Sequence, residues 1–161
     1  MSETELTAPA ISLPAQPQGC TNFHLRQLMR RIAQHYDLEM SRIGLKTTQY
    51  SLLSHIVKLG PIRPGDLAAA MKVEPSTLTR NLKPLIDAGW VALAQGIDGR
   101  SRSVTITEAG RTKRTEAQRR WKVAQLGLNK TLGVQRVVAL HALINESLEL
   151  LNPVEAETDD I

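Results

Sequence analysis

The sequence predicts a mainly α fold with one small β-hairpin, and thus an α+β chain with few strands. Apolar residues recur at spacings of three and four through most of the chain, which is the period of a helix. One short pair of segments alternates instead, with Val91 and Leu93 before a glycine-containing turn and Val104 and Ile106 after it. Aromatic residues make up only 3% of the 161 residues, so aliphatic side chains must fill the core.

Six helices follow from this periodicity and from the glycine and proline residues at the expected ends. Proline favours the first position of a helix, and glycine favours the position just beyond its end. We predict helix starts near Thr21, at Thr47 or Thr48 as a cap, at Pro64, at Pro75, after a cap at Thr107, and after Gly133. The glycines of the segment GLNKTLG, residues 127–133, predict a break between the last two helices.

Residues 46–107 are predicted to form a winged helix-turn-helix lobe. The short helix opened by Pro64 is followed after a turn by the helix opened by Pro75, and the hairpin comes directly afterwards. In such a pair the second helix can enter a DNA major groove, and a basic hairpin beside it can reach the minor groove. This arrangement favours binding of double-stranded DNA.

The second helix of the pair has a polar face opposite its row of leucines. An arginine there can donate two hydrogen bonds to a guanine edge, and hydroxyls near the helix start can reach phosphate or base. At the hairpin tip an aspartate can hold the turn, and an arginine can enter a narrow minor groove. The predicted DNA-binding residues are Ser76, Thr77, Arg80, Lys83, Asp98, Arg100 and Arg102. The alternative for each is a solvated surface. Pro84 should bend this helix because it removes a backbone donor.

Charge is distributed unevenly along the chain. All 20 lysines and arginines lie between residues 20 and 145 with eight acidic residues, so this part carries +12. Residues 146–161 contain six acids and no base. A basic body favours a polyanionic partner such as DNA.

The terminal helices predict a homodimer. Residues 1–19 are interpreted as a flexible arm, residues 20–151 as one domain, and residues 152–161 as an acidic tail. Within the domain, residues 20–45 and 108–151 carry wide apolar faces that the lobe between them cannot cover. A second copy could cover them by packing terminal helices against terminal helices, whereas the alternative is a monomeric helical bundle.

Signals of other protein classes are lacking. No run of about 18 apolar residues predicts a membrane span, and residues 1–19 do not resemble a secretory signal. The single cysteine, Cys20, excludes an internal disulfide, so we expect a cytoplasmic protein with no membrane partner. No catalytic motif is present, and the four histidines have no metal-ligand spacing, so we predict no enzyme, no cofactor and no metal site.

Two motifs, STLTRNLKPLIDAGWV and DGRSRSVTITEAG, resemble in that order the recognition helix and the wing of the MarR family of bacterial winged helix-turn-helix regulators. The similarity extends over residues 20–151. It implies a homodimer on a roughly palindromic operator, usually acting as a repressor released by a small phenolic or aromatic carboxylate. By position it implies DNA contacts from Ser76, Thr77, Arg80, Asp98 and Arg100. Gly99 stands where many members have a charged residue, and Pro84 is unusual at its place.

The resemblance places an effector between the dimerisation helices and the DNA lobe. Asn22, Arg26 and Arg30 share a face of the first helix, where an arginine could pair with a carboxylate. The predicted effector-binding residues are Asn22, Arg26, Tyr36, Tyr50 and His55. For Tyr36 the alternative is a core position, and for His55 a surface or satisfied core position.

Three other regulatory or binding classes stay open. Some members of the family sense oxidants through a cysteine near the start of the first helix, and Cys20 lies about two residues before that place. A metal-responsive regulator would need His and Glu ligands assembled only in space. A winged-helix protein-interaction module would show neither tight DNA binding nor a site preference.

Overall fold

A computed structural model of the chain describes Pro14, residues 16–95 and residues 102–151. Within these residues lie six helices and one hairpin, which confirms the predicted fold class. The elements in chain order are α1 (Thr21–Ser41), α2 (Thr47–Leu59), α3 (Pro64–Ala70), α4 (Pro75–Asp87), β1 (Val91–Gln95), β2 (Arg102–Ile106), α5 (Glu108–Leu132) and α6 (Val134–Leu150). None of the helices in this part of the chain is long and apolar enough to cross a membrane.

The core around the hairpin and α2 to α4 is aliphatic, as the low aromatic content predicted. Each of the three helices contributes residues at helical spacing, β2 contributes the alternating residues Val104 and Ile106, and β1 contributes only Val91, since Leu93 is exposed by 41%. The most deeply buried side chains of this lobe are Leu52, Leu53, Ile56, Leu67, Leu78, Leu85, Val91 and Val104. Because one face of α4 is anchored in this core, its other face is fixed toward solvent.

The two strands pair antiparallel, with Val91 opposite Ile106 and Gln95 opposite Arg102. A further residue joins them from the connection between α2 and α3. The Ile62 amide donates to the Val104 carbonyl at 3.1 Å, and the Val104 amide donates to the Ile62 carbonyl at 2.7 Å. The base of the hairpin is therefore bonded to the segment that leads into α3.

The start of α5 is tied to the end of the helix-turn-helix segment through Thr107, as the predicted cap required. The Thr107 hydroxyl accepts a hydrogen bond from the Gly110 amide at 3.0 Å and donates one to the Gly89 carbonyl at 2.7 Å. The Gly110 backbone lies close to Trp90, since a Cβ at Gly110 would lie 1.9 Å from the Trp90 carbonyl oxygen. Only glycine fits this position without a shift of backbone.

Two predicted boundaries are wrong. The break expected over residues 127–133 does not begin at Gly127, because α5 continues to Leu132. A single glycine lowers the stability of a helix by only about 1 kcal/mol, so Gly127 does not end α5. Gly133 has a positive φ of 83° that a right-handed helix cannot contain. The expected cap of α2 at Thr47 or Thr48 also differs: the cap position is Lys46, and Asp37 of α1 accepts hydrogen bonds from the Thr47 amide and hydroxyl.

Contacts divide the chain into two compact units, Cys20–Gln125 and a second made of Met1–Gly19 with Leu126–Ile161. In the second unit, every residue of α6 from His141 onward is exposed. Leu143, Leu148 and Leu150 are exposed by 62%, 61% and 79%. The unit therefore presents a large apolar helix surface that no described residue covers. The predicted functional boundaries at residues 45 and 107 stay predictions.

Candidate nucleic-acid interface

The turn between α3 and α4 is built by the backbone. Lys72 takes the left-handed conformation with a φ of 53°, and the Val73 amide donates to the Ala68 carbonyl at 3.0 Å. Glu74 is extended, and Pro75 then starts α4. The left-handed residue reverses the chain direction, which places α4 across α3 instead of extending it.

Helix α4 has two chemically distinct faces. Leu78, Leu82 and Leu85 are buried in the lobe, and no charged residue joins them there. Ser76, Thr77, Arg80 and Lys83 are all exposed. Pro84 is exposed too and lies inside a helix that continues to Asp87. A face of hydroxyls and cations on a rigid helix is chemically suited to phosphate oxygens and base edges.

The two cations of this face differ in their partners. No hydrogen bond or ion pair joins the Arg80 guanidinium to another described residue, so all its donors can face a ligand. The Lys83 ammonium is paired with Asp87 at 3.0 Å, both side chains being largely exposed. Such an exposed pair contributes at most about 1 kcal/mol, so a phosphate can compete for the lysine.

The described part of the hairpin places Arg102 at the start of β2, exposed and opposite Gln95. The predicted contacts Asp98 and Arg100 lie in residues 96–101, outside the described residues. Their roles stay predictions.

Two cations near the start of α5 contact side chains of the lobe. The Lys113 ammonium lies 5.4 Å from the centroid of the Trp90 ring and 3.0 Å from Glu116. The Arg114 guanidinium contacts the Ser54 hydroxyl of α2 at 3.4 Å and Gln118 at 2.8 Å. Both are half-buried, so they hold α5 against the lobe instead of adding to its exposed cations.

The five predicted effector residues have separate surroundings. Asn22 and Arg26 are exposed in the first two turns of α1. The Tyr36 hydroxyl donates to the Gln125 side-chain oxygen, and burial raises the pKa of this phenol. The Tyr50 ring packs against Trp121 with centroids 6.5 Å apart, and His55 is hydrogen-bonded through Nδ1 to the Ser51 carbonyl at 2.8 Å. A shared role in one cavity stays a prediction.

Sequence reasoning missed the polar contacts that fix α1. The His35 ring donates through Nε2 to the Ala124 carbonyl of α5 at 2.8 Å. The Glu39 carboxylate lies 3.3 Å from Arg42 and 3.6 Å from Arg120. Together with the Asp37 cap, these contacts join α1 to α2 and α5. In the sequence, these contacts were indicated only by the polar residues that interrupt the apolar row of α1 near its end.

Other functional chemistry is sparse in the part of the chain that the structure describes. There, no three His, Cys, Asp or Glu side chains lie close enough together to hold a metal ion. Cys20 is a free, exposed thiol at the cap position of α1. Its carbonyl accepts a hydrogen bond from the His24 amide at 3.1 Å.

Comparisons with known proteins agree with this arrangement. The family model described as MarR family matches residues 45–95, which cover α2, α3, α4 and β1. An uncharacterized HTH-type transcriptional regulator of Bacillus subtilis strain 168, YwoH, is 32% identical over 92 residues, covering 57% of this chain and 67% of the relative.

Solved structures extend the similarity to most of the chain. The transcriptional regulator MosR of Mycobacterium tuberculosis, solved in complex with DNA, is 30% identical with a TM-score of 0.64, over 81% of this chain and 98% of that one. Apo MarR of Escherichia coli shares the fold at 21% identity and a TM-score of 0.67, over 82% and 99% of the two chains. From the helix-turn-helix geometry, the hairpin and these relatives together, the chain belongs to the MarR family.

Proposed function

We propose that the chain is a sequence-specific regulator of transcription that binds double-stranded DNA. The observation that carries the proposal is the exposed polar face of α4, held rigid by its buried leucines directly after the α3 turn. MosR, which is 30% identical over nearly its whole length, was solved in complex with DNA. A regulator of this kind acts in the cytoplasm, where the DNA is accessible.

The contacts divide by groove. Arg80 donates two hydrogen bonds to a guanine edge in the major groove, and Ser76 and Thr77 fix the helix on the phosphates. Lys83 exchanges its exposed carboxylate partner for a phosphate. Arg102, with Asp98 and Arg100 at the tip, reaches the adjacent minor groove.

The active form is a homodimer on a roughly palindromic operator. The exposed apolar residues of α6 provide a surface that a second copy would cover. Two lobes related by a two-fold axis would then read two half-sites about 34 Å apart, which is one turn of DNA. This spacing makes DNA binding sensitive to any change in how the lobes are held.

We further propose that the regulator is a repressor released by a small aromatic or phenolic carboxylate. Arg26 is an exposed guanidinium suited to the carboxylate, and Tyr36, Tyr50, His55 and Asn22 supply the remaining contacts. The ligand would displace some of the polar contacts that join α1 to α2 and α5. To release the operator it must favour the unbound state by several kcal/mol.

Fluorescence anisotropy with operator DNA and with random duplex, at two salt concentrations, tests DNA binding. We expect tight, site-selective binding that weakens steeply with salt, because phosphate contacts release counterions. A protein-interaction module would bind neither duplex tightly. Peroxide that abolishes binding by the native chain but not by Cys20→Ser would instead identify an oxidant sensor.

The effector is tested separately by titrating aromatic acids against the preformed complex. Binding of the acid measured by calorimetry, together with loss of operator affinity, supports release. The proposal fails if an acid binds tightly while operator affinity is unchanged. Arg26→Ala should weaken binding of the acid and leave operator affinity intact in its absence.

A further inference from the structure

The first half of α1 carries a shallow groove along its length. One depression is lined by His24, Gln27, Leu28 and Arg31, and a second by Gln27, Arg30, Arg31 and Gln34. Because Gln27 and Arg31 line both, the two depressions form one continuous groove, here called the α1 groove. It follows about three helical turns, or roughly 16 Å.

The α1 groove is cationic. Residues 21–36 contain three arginines and no acidic residue, the first acid of α1 being Asp37. Arg30 and Arg31 are exposed, and neither is bonded to another described residue. Exposed guanidinium groups in a row beside glutamine amides suit a line of carboxylates. A shallow, elongated groove fits an extended peptide better than a compact molecule.

The complementary segment lies at the other end of the same chain. Six acids and no base occupy residues 146–161, and the first two, Glu146 and Glu149, are exposed on the last turns of α6. Residues 155–161 hold Glu155, Glu157, Asp159 and Asp160 and lie outside the described residues. Seven residues can extend to about 25 Å, which is enough to follow the whole α1 groove.

We propose that residues 155–161 of one copy bind in the α1 groove of a second copy, and that two equivalent contacts of this kind strengthen the dimer. The inference rests on the proposed homodimer. The exposed apolar residues of α6 and of α1, among them Leu148 and Met29, are the surfaces that a second copy would cover. The acidic segment that continues from α6 would then reach the other copy, and two-fold symmetry makes the contact reciprocal.

Charge reversal tests the contact on the full chain. One variant carries Arg30→Glu and Arg31→Glu, and the other carries Glu155→Lys and Glu157→Lys. The first alone places acids against acids at both contacts of its homodimer, and the second leaves the side chains of residues 155–161 with no net charge. In each we expect dimer affinity at low salt to fall, by about tenfold in the first. Mixed, the variants restore attraction at both contacts, so native mass spectrometry should find heterodimer well above the statistical half.

The matched control for the arginine variant reverses two exposed lysines of the central lobe, Lys58→Glu and Lys72→Glu, which gives the same charge change. We expect this control to leave dimer affinity within about twofold, and circular dichroism checks that every variant is helical. Statistical mixing of the two charge-reversed chains overturns the inference. The inference is also overturned if dimer affinity is restored only in a single chain that carries all four changes and not in the mixture, because the segment would then bind its own copy.

The failure of this inference differs from the failure of the proposed homodimer. A native chain that stays monomeric at all concentrations in sedimentation equilibrium overturns the dimer itself. A native dimer whose affinity is unchanged by either pair of reversals, at low and at high salt, overturns only the contact with the α1 groove.

Discussion

At the scale of single residues, the partners of each cation separate binding groups from structural ones. Arg80 is exposed and bonded to no other described residue, whereas Arg114 contacts Ser54 and Gln118 within the lobe. Each of the two arginines contributes one positive charge to the chain. Only the first has all its donors available to a base edge.

Arg80→Ala should weaken binding to the operator by roughly 1–3 kcal/mol and relax the preference at one base pair of each half-site. The reason is the loss of two hydrogen bonds to one base edge. Anisotropy against a panel of single-substitution operators measures it. Lys58→Ala, which removes the same charge from the last turn of α2, serves as the control. If sequence preference survives Arg80→Ala, the reading face is misassigned.

Gly110→Ala should destabilise the fold by about 1–3 kcal/mol or more, because the added Cβ would meet the Trp90 carbonyl oxygen at 1.9 Å. Gly65→Ala is the matched control, since nothing lies within 4 Å of its Cβ position in α3. We expect that control to be neutral or to stabilise by up to about 1 kcal/mol. Urea unfolding of both variants measures the difference, and equal midpoints would contradict the close approach.

At the scale of elements, α1 is joined to its neighbours by directional polar contacts. Tyr36 and His35 bond to α5, and Asp37 caps α2. Hydrogen bonds of this kind each contribute about 1 kcal/mol net, but they fix orientation more strictly than apolar contact does. The position of α1 therefore depends on the hydrogen bonds of a few groups.

Tyr36 makes the stability of the fold depend on alkaline pH. Burial favours the neutral phenol and raises the pKa of Tyr36 above its usual value of about 10. Its contribution is complete below about pH 10 and is lost as the pH rises through the folded pKa. Tyr36→Phe should lower stability at neutral pH by about 1 kcal/mol and flatten the decline above pH 10. Identical slopes for variant and native chain in that range would contradict this role.

The sequence predicted those elements whose signals are local. Pro64, Pro75 and the Thr107 cap each mark a boundary through their own backbone chemistry, and the structure has helices starting at or next to each. The cap of α2 was misassigned because its acceptor, Asp37, belongs to a different helix. The Ile62 bridge to Val104 was missed because it depends on how the chain returns upon itself. The common cavity predicted for Arg26, Tyr50 and His55 depends on tertiary packing in the same way.

At the scale of the whole molecule, charge and apolar surface are segregated along the chain. The cations lie between residues 20 and 145, and the final 16 residues carry only acids. The longest run of exposed residues in a described helix is in α6. A DNA-binding body with an uncovered apolar helix at one end is typical of subunits that act in pairs.

Leu148→Glu should convert the proposed dimer into a monomer and weaken operator binding, because it would place a carboxylate in the apolar surface that the second copy covers. Light scattering after size exclusion measures the mass, and anisotropy measures the affinity. Ala142→Glu adds the same charge six residues earlier in α6, about 120° around the helix from Leu148, and should leave more of the proposed dimer intact. A dimer unaffected by Leu148→Glu would exclude this surface from the interface.

The paired hydrogen bonds between Ile62 and Val104 join the base of the hairpin to the entry to α3, so the two segments move together. Neither can tilt without breaking both bonds, so the angle between the two parts proposed to contact the grooves is set during folding and not upon encounter with DNA. In the proposed homodimer, adjustment to operators of different curvature would then come from the way the two copies are joined. Amide protons of Ile62 and Val104 should accordingly exchange with solvent together and slowly.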